Sequence, residues 1–164
     1  MTLVVFVLSV FSSVQAAEKA TPEEVYEMIL KAAQVVETLG EDGLVAFNDP
    51  KGEFVWKDSY VFIIDSARMV IAAHPKKKRI GVDLSNNMDK NPDPAKRKYQ
   101  NREMVQIAKD PNGGWVEYWW PKLGQKDPSR KIGFVIQVPN TPYVATAGIY
   151  NDTVDIKTLN AQLR

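Results

Sequence analysis

From Pro22 onward the apolar positions fall at helical spacing. Val25, Met28, Ile29, Ala32, Val36 and Leu39 share one face, the signature of an amphipathic helix that needs something to lie against. The segment "TPEE" supplies the start: Thr21 as cap, Pro22 at the first helical position and Glu24 to complete a capping box. Gly40 interrupts the pattern, and a second short helical piece, Leu44 to Phe47, ends at "NDP".

The period then changes from helical to alternating. "SYVFIID" (Ser59 to Asp65) and "MVIAAHP" (Met69 to Pro75) are rich in strand-forming residues and separated by the turn-like "SAR". Alternation places Tyr60, Phe62 and Ile64 on one face, and Val70, Ala72 and His74 on one face of the next strand. Residues 76–100 are polar, with prolines and a cluster of Asn and Asp. They read as a long connection, and long irregular connections in compact domains are often functional. "QNREMVQIAKD" reads as a short helix with Met104, Val105 and Ala108 inward. The last third holds three strand-like runs, "GGWVEYWW", "RKIGFVIQVP" and "YVATAGIYN", joined by turn-rich "PKLGQKDPS" and "NTP". The expected fold is α+β: a five-stranded antiparallel sheet with helices on one side and the long crossover covering the other.

Composition narrows the function. The chain of 164 residues has 21 Lys and Arg against 20 Asp and Glu, a balance that argues against nucleic acid, which requires a basic face. The run "KKKR", Lys76 to Arg79, reads as a solvated loop. With no cysteine and a single histidine, His74, thiolate zinc sites, cysteine nucleophiles and histidine-rich metal centres are excluded. "DLSNNMDKNPD" is rich in oxygen ligands, but its spacing does not fit the twelve-residue calcium loop. No metal or cofactor is expected. No nucleophile elbow and no distinguished carboxylate pair is visible, so an enzyme is not expected; a carbohydrate-active enzyme is the weakest alternative.

The N-terminus speaks to location. "TLVVFVLSVFSSVQA" is apolar, then small and polar, with Val14 and Ala16 at the spacing of a signal-peptidase site. Residues 1–16 are read as an export signal, with a membrane anchor as the alternative; no Lys or Arg precedes the apolar run. A single domain, 17–152, and a tail, 153–164, follow, and the product is expected in the periplasm or outside the cell.

Binding is the better-supported chemistry. In "WVEYWWPK" alternation sets Trp115, Glu117 and Trp119 against Val116, Tyr118 and Trp120. One set faces the long helix; the other leaves an apolar patch for the crossover to cover, enclosing a cavity of the kind that takes small ligands. Tyr60, His74, Arg102, Tyr118 and Lys131 are the polar groups that could converge there, with Arg or Lys as counter-charge to a carboxylate and Tyr or His as donors. Each also has a plain structural role: a strand end for His74, a solvated lysine or arginine for Lys131 and Arg102, core packing for the tyrosines.

Four ordered segments carry a family likeness: "FVWKDSYVFIID", "MVIAAHP", "RIGVDLSN" and "GGWVEYWWPKLGQKDPSRKIGFVIQVPNTPYVATAGIY". Together, from about Thr21 to Asp152, they resemble the single Cache domain, the extracytoplasmic sensor module of bacterial chemoreceptors and sensor kinases. The resemblance implies a PAS-like sheet with a long N-terminal helix and a pocket for small molecules, often short organic acids. It implies binding and signalling rather than catalysis, and a membrane receptor, kinase or transport partner. By position it carries over Tyr60, Phe62, His74, Tyr118, Trp120 and Lys131 as pocket residues. Phe134 stands where related sequences often place a tyrosine, which removes a hydroxyl. Without a following membrane helix, the chain resembles a free-standing exported Cache domain. A structural or interaction module with no small ligand is the alternative.

Overall fold

The computed structural model describes residues 18–122 and 124–163; residues 1–16, expected from the sequence to be an export signal, lie outside them. Helix α1 (Pro22–Leu39) begins as its cap chemistry dictates. Thr21 Oγ1 accepts the Glu24 N–H at 3.2 Å, and the Glu24 carboxylate accepts the Thr21 N–H at 3.0 Å. The helix ends at Gly40, whose φ of 60° suits glycine, with its N–H bonded to the Val36 carbonyl. A 3-10 segment, Gly40–Phe47, then returns Leu44 and Phe47 to the core beneath the helix.

The alternating runs form strands, with two breaks in register. The first run divides at Val61. Its head makes a small hairpin of β1 (Val55–Trp56) and β2 (Ser59–Tyr60), and its tail is β3 (Phe62–Asp65). Val61 donates to the Phe54 carbonyl at 2.9 Å, so the backbone stays satisfied across the break. Strand β4 (Val70–Ala73) pairs with β3, but the register jumps from Ile64↔Ile71 to Ile63↔Ala73. Ala72 is therefore the extra residue of a bulge. Because one inserted residue flips the following side chains, His74 joins the face of Ile71 instead of that of Val70 and Ala72, which corrects the simple alternation.

After the crossover and helix α2 (Gln100–Ile107), three long strands follow: β5 (Gly114–Pro121), β6 (Pro128–Gln137) and β7 (Tyr143–Tyr150). The main sheet has the order β4-β3-β7-β6-β5, with every neighbouring pair antiparallel. A final helix, α3 (Ile156–Ala161), packs back through Leu159. The tail is thus docked.

The sheet divides the interior in two. On one face, α1 and α3 cover Ile63, Ala73, Trp115, Ile132, Phe134, Ala145, Ala147 and Ile149. On the other, α2 and the crossover cover Tyr60, Phe62, Ile64, Ile71, Val116, Tyr118, Val135 and Val144. The crossover must span that second face because its ends hold opposite edges of the sheet. At the β4 edge, Leu84 N–H donates to the Met69 carbonyl and Gly81 N–H to the Ile71 carbonyl, both at 2.8 Å. At the β5 edge, buried Asp89 accepts the Trp119 N–H at 3.1 Å, and Lys90 N–H donates to the Trp119 carbonyl at 2.8 Å. Asn160 of α3 occupies the rest of that edge, bonding both the N–H and the carbonyl of Trp115. Neither half of β5 is left open to pair with another strand.

Candidate functional site

The crossover face encloses a cavity of about 30 Å³, room for roughly two or three waters. Its sheet-side wall is Tyr60, Phe62, Ile71, His74, Tyr118 and Trp120; Arg79, Leu84, Gln100, Asn101 and Met104 close it from the crossover and α2. A larger groove between the start of α1 and the end of α3, lined by Tyr26, Trp115 and Leu159, is more open and has no buried charge. The smaller cavity is where polar chemistry and burial meet, the combination expected of a ligand site.

Five of the seven residues expected from the sequence line this cavity: Tyr60, Phe62, His74, Tyr118 and Trp120. The Tyr60, Phe62 and His74 rings form a cluster, with centroids 5.0 Å (Tyr60–His74), 5.7 Å (Phe62–His74) and 6.2 Å (Tyr60–Phe62) apart. The bulge at Ala72 creates that cluster. His74 Nδ1 accepts the Lys76 N–H at 2.8 Å, so Nε2 carries the hydrogen and serves as a donor. Burial, helped by the positive charges of Arg79, Lys131 and Lys76, lowers its pKa to about 3. His74 is therefore a neutral donor at any ordinary pH.

Lys131 is the unusual member. It pairs across the sheet with Tyr118 on β5 and Tyr150 on β7, so its side chain shares their face. It is 1% exposed. Its Nζ lies 4.5 Å from the Tyr60 ring centre and 4.8 Å from that of Tyr150, beneath Tyr60 rather than in the cavity wall itself. Among the described residues it makes no ion pair, and the one opposing influence on its titration is the Coulombic pull of Asp58. Burial lowers its pKa to about 7. Two aromatic faces attract an ammonium, but they do not replace a carboxylate.

The phenols complete the donor set. Burial pushes Tyr60 up to about 12 and raises Tyr118 and Tyr150 as well, so all three stay protonated. The Tyr150 hydroxyl donates to the Pro121 carbonyl at 2.8 Å. Gly133, opposite Val116 and beside Tyr118, is glycine for space: a Cβ there would stand 3.3 Å from the Tyr118 ring.

Arg102 does not join the site. It lies on the outer side of α2, where its guanidinium donates to the Ser85 carbonyl at 2.7 Å and to Asn86 at 3.1 Å and stacks on Tyr99. The helix period turns it away from Met104 and the cavity. Arg79 stands in its place, half-buried, with its guanidinium 5.4 Å from the Trp120 ring centre. The reading of "KKKR" as a solvated loop holds for its lysines only. Phe134 packs on the α1 face against Tyr26 and Trp115, so the hydroxyl it lacks is not taken from the cavity. Gln100 and Asn101 also escaped the sequence reading, although they sit one turn before Met104 on the stripe that faces inward.

Fold and site together define an α+β domain with a small polar-lined cavity on one face of its sheet. A family model described as Cache domain matches residues 53–155, well over half of the chain, and this protein belongs to that family. Its fold is similar to a periplasmic sensor domain of a chemotaxis protein, at 25% identity and TM-score 0.58, covering 77% of this chain and 88% of that one. It is similar also to a Cache chemosensory domain solved to explain carboxylic acid recognition, at 26% identity and TM-score 0.58, covering 77% and 86%. A methyl-accepting chemotaxis protein from Vibrio parahaemolyticus RIMD 2210633 shares the fold, at 17% identity and TM-score 0.63, covering 81% and 90%. Cache domains are sensing modules that bind small molecules; they are not a class of enzymes. No helix of the described residues is long and apolar enough to cross a membrane.

Proposed function

We propose that this protein is an exported sensor module that binds a short organic acid between the sheet and the crossover and relays occupancy to a membrane signalling or transport partner. One observation carries the reading: a buried ammonium, Lys131, makes no ion pair among the described residues and lies next to a cavity lined by neutral donors and the Arg79 guanidinium. An unpaired buried charge is costly, and a carboxylate ligand removes that cost. His74 Nε2 and the tyrosine hydroxyls then supply the hydrogen bonds a carboxylate prefers. The similarity to a Cache domain described for carboxylic acid recognition supports the same ligand class. The apolar leader 1–16 supports export, which a mature chain beginning at Ala17 would bear out by intact-mass measurement.

The cavity is too small for a whole acid as it stands, so binding requires side chains to move. Tyr60 touches both Lys131 and His74, and its displacement joins the cavity to the ammonium. The test is a thermal-shift series with acetate, propionate, pyruvate and lactate. Ligand at a hundred times Kd stabilises by about 2.7 kcal/mol, a shift of several degrees for a domain of this size. Lys131→Met should abolish the shift while the chain stays folded. No shift with any acid, or an undiminished shift in the variant, overturns the proposal.

A further inference from the structure

The first turn of α2 places two amides over the cavity, Gln100 and Asn101, only 3% and 5% exposed. Among the described residues, Gln100 Oε1 accepts no hydrogen bond and Asn101 Nδ2 donates none. Native proteins rarely leave such groups unpaired, because a buried donor or acceptor without a partner is costly. Both amides share the inward stripe of α2 with Met104 and Ala108, where apolar side chains would pack at no such cost.

We infer that Gln100 and Asn101 read a hydroxyl beside the ligand's carboxylate, so that the preferred ligand is a short 2-hydroxy acid. The inference rests on the acid-binding proposal above. A hydroxyl both donates and accepts, so it satisfies the Gln100 oxygen and the Asn101 N–H together. A methylene satisfies neither, and a keto oxygen satisfies only the donor. The other wall of the cavity, with His74 and with Tyr60 lying over Lys131, is the side that receives the carboxylate.

Calorimetry on the full chain with matched pairs tests this: lactate against propionate and pyruvate, glycolate against acetate. The hydroxy acid of each pair should bind at least tenfold tighter, since a buried polar pair left unmet penalises the analogue that lacks the group. In the double variant Gln100→Met, Asn101→Leu the preference for the hydroxy acid of each pair should fall to within about twofold. Equal binding of lactate and propionate by the native chain overturns the inference and leaves acid binding standing; that comparison needs no variant to fold. A preference that survives the double substitution also overturns it. Binding of no acid overturns the acid-binding proposal and this inference with it.

Discussion

The two faces of one sheet follow different rules. The α1 face is closed by aliphatic and aromatic side chains, and its buried members are almost entirely apolar. The crossover face buries a lysine, a histidine and two amides, and keeps a cavity. The first face contributes stability; the second gives some of it up to hold polar groups that the described protein groups around them leave unmet. The contrast teaches that burial alone does not tell the two faces apart, whereas the kind of group each face buries does.

The contrast can be broken most forcefully from the α1 side. Phe134→Ala leaves a hole between Tyr26 and Trp115 and should cost about 3–5 kcal/mol, read by denaturant unfolding. Acid affinity extrapolated to the folded population should not change. A specific loss of affinity would show that the faces are coupled.

Lys131→Met should have the opposite signature. Replacing a buried, unpaired ammonium by an apolar chain of similar shape should stabilise the free protein by about 1–3 kcal/mol at pH 6 while removing acid binding. Destabilisation would mean that the ammonium has a partner, and the asymmetry between the faces would shrink.

The pH dependence sharpens the same point. The folded pKa of Lys131, about 7, lies below its ordinary 10.5, so the unfolded chain binds more protons between these values. The native chain should therefore gain stability relative to the Met variant as pH rises from about 7 toward 10, with no such gain below 7. A bound carboxylate favours the charged lysine, so acid affinity should weaken above pH 7, by at most tenfold per unit. A flat profile from pH 6 to 9 would remove Lys131 from the site.

Smaller effects concern the cover. Asp89→Ala removes the acceptor of the Trp119 and Lys98 N–H groups and should cost about 1–2 kcal/mol. It should also speed ligand release, measurable by stopped-flow, because the crossover loses its hold on the β5 edge. Arg102→Ala should change stability by no more than about 0.5 kcal/mol and leave affinity alone. A large loss of affinity there would return Arg102 to the site.

Much of this was legible because local rules govern it. The capping box of Thr21 and Glu24, the helical stripe of α1 and the alternation in β5 need only neighbours in sequence. Alternation also put Tyr118 and Trp120 on the face opposite Trp115, as the two cores show. Other features depended on contacts far along the chain. The bulge at Ala72 that aims His74 is set by pairing with β3. Arg79 was hidden in a basic run, and Gln100 and Asn101 were hidden by a polarity that usually marks exposed positions.

The sequence by itself determined the elements, their order and the family likeness, since periodicity, caps and ordered motifs are local properties. Only the tertiary structure decided which polar residues are buried without partners. Lys131 looks like any strand-start lysine until Tyr60, Tyr118 and Tyr150, drawn from three other strands, close around it. Burial comes from the meeting of distant segments, and no residue carries it alone.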